Sequence, residues 1–109
     1  MSGRILVVGK TPVGRRVCGL LQESGLNTTH LDEPSDAELR EALTPDVDGI
    51  AVLLHDDIKV LRYSLAAHHI QPSARLFAAM FDRPAREQLR GHVPDSVVLS
   101  PAAISVPSL

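Results

Sequence analysis

The stretch that most constrains this chain is Ile5-Leu6-Val7-Val8-Gly9-Lys10-Thr11-Pro12-Val13-Gly14. With Arg4 before them, these four apolar residues run without alternation into a glycine, so Arg4–Val8 reads as a strand covered on both faces of a parallel sheet. Thr11 suits a helix N-cap and Pro12 the first helical turn. A strand, a tight turn and a helix N-terminus in that order commit the chain to an α/β layer architecture. The same turn aims unpaired backbone N–H groups, and the positive end of the helix dipole, at one point in space. That is the usual place to hold a phosphate.

The rest of the chain repeats the unit. Val13, Val17, Leu20 and Leu21 share one helical face, and Gly25 suits the C-cap. Residues 26–32 read as a second strand, ended by Glu33-Pro34. Ser35 and Glu38 have the spacing of a capping box, opening a short helix on Leu39, Ala42 and Leu43. Residues 49–54 form a third buried strand, and Asp57 is placed to cap a third helix lined by Ile58, Leu61, Leu65 and Ala66. Residues 76–81 form the fourth strand. Asp82-Arg83-Pro84 opens a fourth helix that Gly91 should stop, and residues 96–100 form the fifth strand. Between Asp32 and Gly49 there is room for one helix only. The second strand therefore leads straight into the crossover, and the expected order is 2-1-3-4-5. The prediction is a Rossmann-like open parallel five-stranded sheet with helices on both faces, a single domain over residues 1–109. Residues 101–109 are expected to be an irregular tail or the stump of a linker.

Composition excludes several classes of function. The net charge of −2 and three aromatic residues argue against nucleic acid and anionic membranes as partners. No apolar run approaches the ~20 residues of a membrane span, and no signal-peptide pattern opens the chain. Cys18 is the single cysteine, so no internal disulfide can form, and a cytoplasmic location is expected.

Gly9 and Gly14 match the first and third glycines of the dinucleotide fingerprint, with Thr11 at the second. Asp32 lies at the end of the second strand, 18 residues past Gly14 (32 − 14), near where an acid takes ribose hydroxyls. Glu33 beside it disfavours a 2′-phosphate. A P-loop is excluded, because Arg4 stands where its first glycine belongs. A response-regulator receiver is excluded because Gly9-Lys10 and Ser100-Pro101 stand where its acids and lysine should be. His55 and Asp56 sit at the C-terminal end of the third strand, beside the switch point. They can contact a ligand there, although helix capping is the plainer role for an aspartate in that place. No catalytic set and no metal-ligand cluster emerges. Cys18 has no base near it in sequence, and His68-His69 and His30 suit surface positions.

These motifs, with Phe81-Asp82-Arg83 and Val98-Leu99-Ser100-Pro101, resemble the nucleotide-binding N-terminal part of the TrkA-N/RCK family, the regulators of potassium conductance. The likeness covers nearly the whole chain. It implies a cytoplasmic domain that binds NAD(H) or an adenine nucleotide and is not an enzyme. Its partners would be a second copy, or a paired RCK-like domain, and a membrane potassium channel or transporter. By position, Gly9, Lys10, Thr11, Pro12, Val13 and Gly14 form the phosphate turn, Asp32 and Glu33 the ribose end, and His55 and Asp56 the pocket edge. Thr11 in place of glycine and the shortened sheet depart from the family pattern. They suggest an alternative, a degenerate copy that serves dimerisation or docking without nucleotide. A small NAD-dependent oxidoreductase fragment is the third reading, and it lacks both a proton donor and a substrate domain.

Overall fold

The computed structural model describes residues 4–9, 15–16, 19–20, 23–25 and 27–100. Strands β1 (Arg4–Val8), β2 (Asn27–Leu31), β3 (Val47–Val52), β4 (Arg75–Ala79) and β5 (Val97–Leu99) form one sheet. All pairings are parallel and the order is β2-β1-β3-β4-β5, so the fold is Rossmann-like α/β. Three helices carry the described connections: α1 (Asp36–Ala42), α2 (Asp57–Ile70) and α3 (Arg83–His92). Between β1 and β2, residues 15, 16, 19, 20 and 23 are helical. Gly25 follows them at φ +83°, the left-handed step expected of a C-cap glycine. Cys18 and residues 101–109 lie outside the described residues, as do Lys10, Thr11, Pro12, Val13 and Gly14.

Strand alternation divides the core between two faces. Leu6, Val8, Ile50, Val52, Leu76, Ala78, Met80 and Val98 join Leu39, Val60, Ala67 and Leu89 in one large cluster. That face packs against α1, α2 and α3. The opposite face holds a smaller cluster of Val7, Ala51, Leu53 and Ala79, with Ile5 and Phe77 half-buried beside it.

Local signals explain most element boundaries. Ser35 Oγ accepts from Glu38 N–H and Glu38 Oε1 accepts from Ser35 N–H, a complete capping box on α1. That bonding, the Ser35 N–H foremost, holds the Glu38 carboxyl below its usual pKa. β3 begins two residues earlier than expected, because a register shift carries the sheet past Asp48: Arg4 pairs with Val47 and Ile5 with Gly49.

Three expectations are corrected. Asp56, not Asp57, caps α2, accepting from Ile58 N–H and Lys59 N–H. The buried stripe of α2 is Val60, Ser64 and Ala67, while Ile58 is 78% exposed and Leu61, Leu65 and Ala66 are half-buried. Apolar residues occupy most of the circumference of α2, so spacing alone selected no face. Finally, Gly91 lies inside α3 and does not stop it. The end comes at Val93, whose N–H still donates to Leu89 O.

Candidate site at the carboxyl ends of β1 and β3

Gly9 marks the centre of the candidate site. It follows β1 directly, at φ +130°. A Cβ built there would stand 2.3 Å from the carbonyl oxygen of Leu53 and 2.7 Å from its carbon. The β1 turn therefore touches the backbone leaving β3, an approach that only glycine permits. Hydrogen bonds continue both ladders past the strand ends: Gly9 N–H donates to Leu31 O and Leu53 N–H to Val8 O, each at 2.8 Å. This is the point where the strand order reverses, and ligands of open α/β sheets bind at such a crevice.

Asp32 is next along from β2. Val8 pairs with Leu31, so Asp32 is level with Gly9 across the β1–β2 seam. It is exposed, and its carboxylate makes no hydrogen bond or ion pair among the described residues. Glu33 is differently placed. Lys59 on α2 bonds it at 2.5 Å, both side chains about half-exposed. That hydrogen bond, helped by the carboxylate charge, raises the Lys59 pKa. The pair is a surface ion pair worth little to stability. Its effect is to occupy Glu33 and leave Asp32 as the acid without a partner among the described residues. Tyr63 OH donates to Pro34 O at 2.8 Å, so α2 ties down the whole segment after β2. Burial, aided by the nearby Glu33 charge, raises the Tyr63 pKa.

His55 is exposed, three residues past the end of β3. Asp56 is also exposed, with its carboxylate engaged in capping α2. Of the predicted site residues, then, Gly9 and Asp32 come together at the β1–β2 seam. His55 stands free at the neighbouring rim, and Glu33 and Asp56 have structural partners. Lys10 through Gly14 lie outside the described residues.

Several residues at this rim have roles that the sequence did not indicate. His30 on β2, pairing with Val7, places Nε2 against Gly9 O at 2.5 Å and so braces the turn. Asp57 accepts from Phe81 N–H at 2.9 Å and from Asp82 N–H at 2.7 Å, joining the β3–α2 loop to the β4–α3 loop. Arg86 donates to Met80 O and Phe81 O, each at 2.9 Å. These contacts span 21 to 25 positions, or depend on loop geometry, and no local spacing marks them. Among the described residues, no group of three or more His, Cys, Asp or Glu could hold a metal ion, and no helix is long and apolar enough to cross a membrane.

The fold and this rim define a Rossmann-like domain with its switch point between β1 and β3. Among solved structures, the chain is similar to the crystal structure of the GsuK RCK domain, with a TM-score of 0.81 at 19% identity. The match covers 94% of this chain and 26% of that one, so the chain spans about a quarter of that protein's length. No protein-family model and no curated protein matches the sequence.

Proposed function

We propose that this chain is a regulatory nucleotide-binding domain of RCK type, controlling a potassium channel or transporter from the cytoplasm. The observation that carries the reading is the pairing of Gly9, pressed against the Leu53 backbone, with the uncommitted carboxylate of Asp32 at the same level of the sheet. An anion at the turn and ribose hydroxyls on Asp32 fit an adenine nucleotide or NAD(H). The likeness in fold to the GsuK RCK domain supports a regulatory role, and so does the lack of a catalytic set in the sequence. The domain binds ligand; it is not an enzyme.

The test is thermal unfolding with NAD, NADH, ADP and ATP, each at millimolar concentration. A ligand at a hundred times its Kd stabilises by about 2.7 kcal/mol. Asp32→Ala should leave the melting temperature of the free protein unchanged, because the side chain has no partner to lose among the described residues. It should weaken binding by about tenfold, the worth of a charge-assisted hydrogen bond. No stabilisation by any of the four overturns the sensing role.

A second reading, a dimerisation domain without nucleotide, is favoured by one observation. On the face opposite α1, α2 and α3, an apolar groove runs along Ile5, Gly49, Ala51 and Phe77, with Asp48 and Arg75 at its rim. Sedimentation of a monomer at all concentrations would count against it.

A further inference from the structure

Gly9 is held from three directions. Its N–H donates to Leu31 O at 2.8 Å, and its Cα lies against the Leu53 carbonyl. Its own carbonyl meets His30 Nε2 at 2.5 Å. A carbonyl oxygen can only accept, so Nε2 carries the proton and donates. Of the three restraints this one alone is made by a side chain, and it alone can be removed without altering the backbone.

His30 lies on β2 and pairs with Val7 of β1. Paired residues of neighbouring strands project from the same face, so the half-buried imidazole is on the side of the smaller core cluster, to which Val7 belongs. Packing alone at such a position is met by a β-branched residue. A polar ring there costs free energy unless it is bonded. What the imidazole adds is its bond to Gly9, and the direction of that bond has a consequence. In a trans peptide the carbonyl and the following N–H share one plane and point opposite ways.

We propose that His30 is a positioning residue of the nucleotide site: by holding the Gly9 carbonyl toward β2, it aims the first N–H of the phosphate turn to the β3 side, where the strand order reverses. The proposal rests on the nucleotide-binding reading above. His30 touches no ligand; it acts through the peptide plane. Glycine tolerates a wide range of backbone angles, so without the imidazole the peptide after Gly9 is free to rotate. The amide then has to be ordered when the anion binds, and affinity falls by that cost.

Three variants test it. His30→Leu removes the donor, His30→Asn carries a donor on a side chain too short to reach Gly9 O, and His30→Gln has an amide that reaches about as far as Nε2. Melting curves of the free proteins show that each variant folds, and His30→Asn stands in if His30→Leu does not. Calorimetric titration with ADP and with NADH should show binding about fivefold weaker in His30→Leu and His30→Asn, the worth of one hydrogen bond, and close to wild type in His30→Gln. At saturating nucleotide the phosphorus resonances report the turn, and the ribose protons report the Asp32 end. The phosphorus resonances should move in His30→Leu and His30→Asn and stay in His30→Gln, with the ribose protons unmoved in all three. Unchanged affinity in the folded variants that lack the bond, a His30→Gln no better than His30→Leu, or phosphorus and ribose signals that move together overturns the positioning role and leaves the nucleotide reading standing. Binding of neither nucleotide to the wild type overturns both.

Discussion

At the scale of single residues, the two glycines Gly9 and Gly91 behave in opposite ways. Gly9 has positive φ and a backbone carbonyl 2.3 Å from where a Cβ would stand, so an added methyl requires β1 and β3 to move apart. Gly91 lies near the end of α3 with open space around its Cβ position and no positive φ. Gly9→Ala should destabilise by about 3 kcal/mol, combining backbone strain with a contact that no flexible side chain can relieve. Gly91→Ala should stabilise by about 0.5 kcal/mol, from helix propensity and a less disordered unfolded chain. Urea unfolding of the pair checks both signs. A Gly9→Ala within 1 kcal/mol of wild type would mean that the turn is not pinned on Leu53.

At the scale of elements, Asp57 links two crossovers. One carboxylate at the start of α2 accepts from two N–H groups ahead of α3, while also lying at the favourable end of its own helix dipole. Asp57→Ala should cost about 2 kcal/mol, and Asp57→Asn, which keeps one acceptor, roughly half of that. The Phe81 and Asp82 amides should exchange with solvent faster in both variants, whereas loss of the α2 cap alone, as in Asp56→Ala, should leave them protected. The same elements show how far the sequence could be read. β1 was legible to the residue, because an unbroken apolar run ending in a glycine has no competing interpretation. The Ser35–Glu38 box and the Asp82 cap were legible because each is a fixed-offset contact. Between the adjacent acids Asp56 and Asp57, the choice of cap depends on where the other one finds partners, 24 and 25 residues away. Gly9 and Asp32 could be read from spacing. The occupation of Glu33 by Lys59, and the bracing of Gly9 by His30, arise only once the sheet has brought distant segments together.

At the scale of the whole molecule, the described core residues fall into a large cluster on one face of the sheet and a small one on the other. Leu76 and Phe77 are neighbours on β4 and point to opposite faces. Leu76 is 2% exposed and lies in the large cluster beneath the three helices, whereas Phe77 is half-buried beside the small one. A phenylalanine has more apolar surface to lose than a leucine, so residue type alone ranks Phe77→Ala as the costlier change. Burial reverses that order. Leu76→Ala leaves a cavity in close-packed surroundings and should cost about 3 kcal/mol. Phe77→Ala removes a ring already partly in water, and should cost about 1 kcal/mol in the dilute protein. Unfolding measured across a range of protein concentrations decides what the Phe77 face is for. If the Phe77→Ala penalty stays small throughout, that face is surface in the working protein. If the penalty climbs with concentration toward that of Leu76→Ala, a second copy buries Phe77, because association stabilises only the variant that can still associate.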